Sequence, residues 1–194
     1  MTLDIDAANR ALAGLRPFPV AVTTLDGGFA NGLMSLSAGS ASIIPEAPRA
    51  TISLTKYNAT HDMVVRSQFF AMHMLSSEDD QIEKSLEILM ILGGSSGRDG
   101  DKISKLRTKT GVTGAPILLD AHSYVEARVV GSLDVQESTI FVGDVVGAEI
   151  LNDGGRLRIA EAWGALPQEW IEQYDANHDP QLENARERRF GTNG

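Results

Sequence analysis

The chain has 194 residues, 42% of them hydrophobic and 22% charged, which suits one globular domain with extensions and excludes wholesale disorder. Lys and Arg number 17 against 26 Asp and Glu, a net charge of −9, so the surface as a whole repels nucleic acid and anionic membrane. There is no cysteine, which removes disulfides, thiolate metal sites, iron–sulfur clusters and a cysteine nucleophile together.

Met1 to Leu15 reads as a short helix, because Ala8, Leu12 and Leu15 recur at helical spacing and Pro17 limits its extension. That start lacks a basic stretch followed by an apolar run, so no secretory leader is expected. The longest strongly apolar run, Ile88 to Leu92, falls far short of a membrane span of about 20 residues. The expected location is the cytoplasm. Pro19 to Thr24 and Phe29 to Ser37 are extended runs around Asp26-Gly27-Gly28, the signature of a β-hairpin. Ser35 to Ser42 is small and polar, yet lies between strand-like segments, and is expected to be ordered backbone passing close to something. Ala50 to Leu54 is a strand, Thr60 to Arg66 a short helix capped by Thr60, and Phe69 to Leu75 another strand.

Acids at 78–80 open a helix whose Ile82, Leu86, Leu89 and Met90 share one face, ending at Gly93-Gly94. A glycine-rich loop, GGSSGRDGDK, follows, then a short helix over Asp101 to Arg107. Strands are expected at Pro116–Leu119, Tyr124–Leu133, Thr139–Leu151 and Arg156–Ala160, the last two joined by a hairpin turn at Asn152-Asp153-Gly154-Gly155. Gly143 and Gly147 predict bulges or a barrel corner in the long strand. Pro167 to Tyr174 is a short amphipathic helix. Asp175 to Gly194 is polar, either a disordered tail or an arm docking on a partner subunit. The order of elements favours a closed antiparallel sheet with helical insertions over a doubly wound sheet.

Few side chains offer chemistry of their own. The four histidines are scattered, with no metal-ligand spacing, so no metal is expected. His73 sits in an apolar strand as a core histidine, while His122, in a turn, is expected at the surface. Ser37, His61 and Asp62 are all present, but the adjacency of His61 and Asp62 argues against a triad. No catalytic residue is assigned. Ser35, Ser37, Ser53, Thr55, Lys56, Asn58 and Thr60 together offer hydroxyls, an amide, an ammonium and a helix N-terminus, groups that hold a phosphate. The same Ser and Thr also simply suit strands and turns. Arg98 and Lys102 offer cationic contacts to a phosphate or a neighbouring subunit, in a loop without phosphate-loop spacing. A chain without a strong nucleophile or metal points to a borrowed cofactor.

PVAVTTLDGGFANGLMSLSAGSASIIPEAP, ATISLTKYNAT and FFAMHMLS, followed by GRDGDKISKL, GVTGAPILL, YVEARVV and TIFVGDVVGAEIL, resemble the flavin reductase-like family. The resemblance runs from about Phe18 to Leu151, and it includes the strand bearing Gly143-Asp144-Val145. It implies a mainly β fold with helical insertions, a six-stranded antiparallel Greek-key split barrel that binds FMN. Residues 1–16 then form an N-terminal helical extension, 17–165 the split-barrel domain, and 166–194 a C-terminal helix and polar arm. It also implies a homodimer, FMN (FAD in some members) as cofactor, NADH or NADPH as co-substrate, and in many members a partner monooxygenase that receives the reduced flavin. The family's flavin motif falls on Met34 to Ser37, of which only Ser37 matches. Ser37 is therefore given a phosphate or ribityl contact, and Met34 and Ser35 backbone contacts. The next flavin-contacting strand and turn fall on Ser53, Leu54, Thr55 and Lys56, with Asn58 and Thr60 at polar phosphate positions. Met34 and Leu36 replace the motif's threonine and asparagine. Ser138 replaces a histidine that many members carry near the nicotinamide.

The implied activity is NAD(P)H-dependent FMN reduction. The replaced histidine leaves two alternatives: a flavin enzyme of this fold with another donor or acceptor, and a flavin-binding protein without catalysis.

Overall fold

The computed structural model describes residues 3–98 and 100–191. The expected first helix is α1 (Ile5–Ala13), capped by Asp4, which accepts the Ala7 N–H at 2.9 Å. β1 (Val20–Asp26) and β2 (Phe29–Ser35) form the expected hairpin. Gly27 and Gly28 turn it with φ of 57° and 87°, the left-handed pair that a type I′ turn requires. The chain continues through β3 (Ala38–Ser40), β4 (Arg49–Thr55), α2 (Ala59–Ser67), β5 (Phe69–Met74), α3 (Ile82–Gly94), β6 (Thr108–Thr110), β7 (Pro116–Leu118), β8 (Ser123–Asp134), β9 (Ser138–Ile150), α4 (Ile159–Ala165) and α5 (Gln168–Phe190).

Seven strands form one antiparallel sheet in the order β2-β1-β5-β8-β9-β4-β3, and β6 pairs with β7 separately. The small polar segment supplies the strand beyond the expected six: Gly39 of β3 pairs with Thr51 of β4. β4 and β5 are consecutive in the chain but separated by β8 and β9 in the sheet, the skip of a Greek key. β2 and β3 lie at opposite edges, yet only Leu36 and Ser37 separate them along the chain. Flat, seven strands would hold their edges roughly 29 Å apart. The step from Ser35 to Ala38 reaches about 11 Å. The sheet therefore curls to bring its two edges together, and the β3–β4 ladder runs one rung further toward the join, where the Ser53 N–H donates to the Ser37 carbonyl at 2.9 Å.

Val20, Val22, Ile52, Leu54, Phe70 and Phe141 fill the inside of the curl. Ala21, on the opposite face of β1, packs with Ile88, Leu89 and Leu92 of α3. Both faces of β1 are thus buried, which explains its apolar run without alternation. The β8–β9 ladder slips in register at Glu126/Ala127 and Val129/Gly131, opposite Gly147 and Gly143, where bulges were expected. His73 is fully buried as predicted.

Other expectations fail. Arg156–Ala160 is no strand, making one bridge between Arg156 and Ser76 before α4 begins at Ile159. The Glu161 carboxylate accepts the Arg158 N–H at 2.9 Å and starts a helix there, so 152–155 is a turn without a hairpin. The helix expected over 101–107 shrinks to one 3-10 turn, Ile103–Lys105. Thr60 is not a cap, since α2 begins one residue earlier and Asn58 holds the N-cap position. His122 is 9% exposed, its ring bonded to Ser123 and the Gly154 carbonyl. The short helix expected over 167–174 instead continues through most of the polar C-terminal segment: α5 runs 23 residues as one helix with Pro180 inside it.

Candidate functional site

A cavity of about 700 Å³ opens beside the seam, within the roughly 300–1,000 Å³ of small-molecule and cofactor sites. One wall is β2 from Asn31 to Ser35 with Leu36 and Ser37. A second is Ser53, Leu54 and Thr55 of β4, with Tyr57 and Asn58 and the first turn of α2. The end of α3 and the loop to Arg98, with Lys102, form the floor, and α5 forms the far side. Of the eleven residues singled out from the sequence, Met34, Ser35, Ser37, Ser53, Leu54, Thr55, Asn58, Thr60, Arg98 and Lys102 meet here.

Lys56 does not line the cavity. Its Nζ binds the Asp134 carboxylate at 2.6 and 2.7 Å, and that bond, with one from the Gln136 N–H, holds the Asp134 carboxyl below its usual pKa. Its neighbour Thr55 lines the cavity and pairs with Ser138 of β9. Lys56 itself opens the turn after β4, where its side chain is drawn to Asp134 instead.

The local chemistry suits an anion. Asn58 leaves α2 without a side-chain cap, because its Nδ2 donates to Thr55 Oγ1 at 2.5 Å instead. Ala59 and Thr60 of the first turn line the cavity, so the N-terminal end of the α2 dipole lies beside it. Arg98 is held at the rim, donating to the Tyr57 carbonyl at 2.8 Å with its guanidinium 5.6 Å from the Tyr57 ring. Lys102 is 5% exposed and donates to the carbonyls of Leu92 at 3.1 Å and Ser95 at 2.8 Å, so its ammonium also stabilises the C-terminal end of α3. Among the described lining residues none is Asp or Glu.

The lining residues not singled out from the sequence include Arg16, Asn31, Tyr174 and His178. Asn31 is 5% exposed; its Nδ2 donates to Thr60 Oγ1 at 3.2 Å, and its Oδ1 is a buried acceptor with no partner. Nothing in an asparagine within a strand signals such burial. Tyr174 and His178 did carry a signal, since with Trp170 they place rings every fourth residue on one helix face.

Ser37, His61 and Asp62 form no triad, but His61 and Asp62 do meet. His61 Nδ1 lies 2.8 Å from Asp62 Oδ1, and Nε2 lies 2.9 Å from Thr139 Oγ1. Thr139, not Ser37, completes this chain of bonds, which pins α2 to β9 outside the cavity. Ser138 does not line the cavity either.

The donor set fits a flavin nucleotide. Hydroxyls and amides suit a sugar-phosphate chain, the α2 N-terminus and Arg98 suit a phosphate, and the orphan Asn31 Oδ1 suits an N–H of a heterocycle.

Relatives are consistent with the fold and the site. A ferric-chelate reductase (NAD(P)H) of Archaeoglobus fulgidus is 33% identical over 111 residues, 57% of this chain and 63% of that protein. This chain thus spans less than two thirds of that relative's length. The NADH:FAD oxidoreductase of Streptomyces globisporus C-1027 superposes with a TM-score of 0.65 at 21% identity, over 81% of this chain and 90% of the other. An FMN-binding protein of Thermus thermophilus gives 0.61 at 21% identity, over 70% and 71%. Both structures share the curled barrel. Residues 14–160, most of the chain and all nine strands, match the flavin reductase like domain, and the chain belongs to that family.

Proposed function

We propose that the protein is a flavin-dependent oxidoreductase, an NAD(P)H:FMN reductase whose cavity holds FMN. The observation that carries this reading is a local inversion of charge. A chain of net charge −9 lines its large cavity with Arg16, Arg98, Lys102 and an uncapped helix N-terminus, and with no acid among the described lining residues. Such a site attracts a phosphorylated ligand against the field of the whole molecule.

Bound flavin supplies the two-electron chemistry that none of these side chains offers. The protein's own share is binding, orientation and exclusion of water. Ser37, Ser53 and Thr55 hydroxyls take the ribityl chain and its phosphate end. Ala59 and Thr60 amides with Arg98 hold the phosphate. Met34 and Ser35 contribute backbone groups, and Asn31 Oδ1 accepts from the ring system. Leu54, Met34 and Leu92 keep water from that side of the cavity. Lys102 acts through the loop it holds.

The names of the relatives support NADH or NADPH as donor and allow FAD beside FMN. A homodimer belongs to the same reading. A partner monooxygenase receiving reduced flavin and a cytoplasmic location complete it. No described helix is long and apolar enough to cross a membrane.

Ser138, standing where many members carry a histidine, favours a second reading: flavin binding with another donor or acceptor, or without turnover. An anaerobic absorbance titration with FMN, then NADH, then NADPH, separates them. Rapid bleaching of the flavin band supports the reductase. A bound-flavin spectrum that neither nucleotide bleaches moves the protein to the second reading, and no flavin binding removes both.

A further inference from the structure

The far wall of the cavity comes from α5, which lies beyond the family match at residues 14–160. Gln173, Tyr174, Asn177, His178 and Gln181 line the cavity, at spacings that put them on one helix face. A ladder of rings runs along that face. Trp170 stacks on Tyr174 with centroids 5.2 Å apart at 22°, and Tyr174 on His178 at 6.2 Å and 10°. Trp170 roots the ladder in the apolar cluster around α3 and meets Trp163 edge-on at 6.5 Å. The helix is tied across the cavity at two further points. Asn177 Nδ2 donates to the Gly94 carbonyl at 3.4 Å, and Arg189 pairs with Glu137 of the β8–β9 turn at 3.3 Å. The ladder stops at His178, beyond which no further ring is stacked among the described residues.

We propose that α5 is part of the flavin site, and that the ring system of the bound flavin stacks on the Tyr174–His178 end of this ladder. The proposal rests on the flavin-binding reading and extends it to residues outside the family match. The two sides of the cavity differ in kind. The barrel side offers hydroxyls, amides and guanidinium, the partners of a phosphorylated chain. The α5 side offers flat rings, the partners of a planar heterocycle. Burial, with Asp175 adding to it, pushes the Tyr174 phenol above its ordinary pKa, so the ring stays neutral. α5 then does two things at once: it supplies a stacking surface and closes the cavity over the ligand.

The test titrates FMN into the full-length protein and into Tyr174→Leu, Tyr174→Phe, His178→Ala and His178→Phe, reading the dissociation constant and the emission of bound FMN. Stacking predicts that Tyr174→Leu weakens FMN binding about tenfold, the upper end of a ring–ring contact, with brighter bound flavin. Tyr174→Phe keeps the affinity within about twofold, because the ring remains. His178→Ala weakens it about threefold and His178→Phe restores it. Wild-type protein that binds FMN, with Kd and emission unchanged in Tyr174→Leu, overturns the role of α5 and leaves the barrel side of the site standing. Wild-type protein that binds neither FMN nor FAD overturns the flavin reading and this proposal with it. Should Tyr174→Leu fail to fold, the exposed His178 pair decides: equal affinity in His178→Ala and His178→Phe overturns the stacking.

Discussion

Replacing His73 with Gln should remove most of the protein's histidine-dependent loss of stability in mild acid. His73 is fully buried on β5. Its Nδ1 donates to the Ala21 carbonyl of β1 at 3.2 Å, and its Nε2 accepts the Leu118 N–H of β7 at 3.2 Å. Only the neutral ring with its proton on Nδ1 does both. Burial lowers its pKa from 6.5 to about 4, against the smaller opposing pulls of the Ala21 carbonyl and Glu126. The unfolded chain therefore takes up this proton near pH 6.5 and the folded chain only near pH 4. Between those values the unfolded state holds more protons, so stability rises with pH across the window and is lost as pH falls through it. The gap of about 2.5 pH units, at about 1.36 kcal/mol each, makes the loss about 3 kcal/mol. Glutamine retains a donor and an acceptor but takes up no proton. Urea unfolding of both proteins at steps from pH 4 to 7.5 gives the difference in stability at each pH, and carboxylates common to both cancel. The wild-type advantage should shrink by about 3 kcal/mol between pH 7 and pH 4. A difference constant across that range would refute a neutral His73 held by two backbone groups.

Four further variants test the site and its support. Ser37→Ala should weaken FMN binding by about tenfold or more, the loss of a hydrogen bond to a charged group. Lys56→Ala should leave FMN affinity within about twofold and cost at most about 1 kcal/mol, since it removes only the Asp134 pair; equal losses in the two variants by isothermal titration would contradict the cavity assignment. The Glu126 carboxylate, 1% exposed, accepts from the Val112 N–H at 3.0 Å and from the Thr113 N–H and hydroxyl at 2.9 and 2.7 Å. Glu126→Gln turns an amino group toward those donors and should cost about 1–3 kcal/mol in denaturant unfolding with little change in FMN affinity. Gly97→Ala would drive a methyl group into the Asn31 carboxamide, so FMN affinity should fall while the melting temperature moves little; an unchanged dissociation constant would detach that loop from the site.

Much of the barrel is legible where local chemistry and tertiary packing agree. The DGG turn needs positive φ at two residues and has two glycines to supply it. Gly143 and Gly147 sit opposite the register slips of the β8–β9 ladder. Reading fails where a distant partner decides. Arg156 looks like a strand start, but Ile159 is drawn into a helix start by the Pro17 carbonyl, which accepts its N–H at 2.8 Å. Lys56 sits beside true lining residues, and its direction is set by Asp134, 78 residues on. The apolar signal of α5 ends at Tyr174, because the rest of the helix buries nothing. Its length shows only in the ring spacing and in the distant pair between Arg189 and Glu137.

The curl that closes the barrel also makes the cavity. A sheet joined edge to edge by Leu36 and Ser37 cannot pair every amide along the seam. β2 has β1 on one side, and along its other edge Asn31 to Ser35 face the cavity. An open edge of this kind is a hazard unless something covers it, and here the covering elements, the end of α3 and the face of α5, stand back by the width of a cavity. A ligand in that space meets the free edge of β2 as well as the side chains around it. On that reading Met34 and Leu36, which replace the threonine and asparagine of the motif that the family resemblance implies, leave the main chain of the seam and the Ser37 hydroxyl available to a ligand. The proposed phosphate and ring contacts lie away from Met34, at the cations of the α2 end and the rings of α5. Substitutions at Met34 should accordingly change flavin affinity less than substitutions at Tyr174. The reverse order would mean that side chains at the seam, not the wall opposite, choose the ligand.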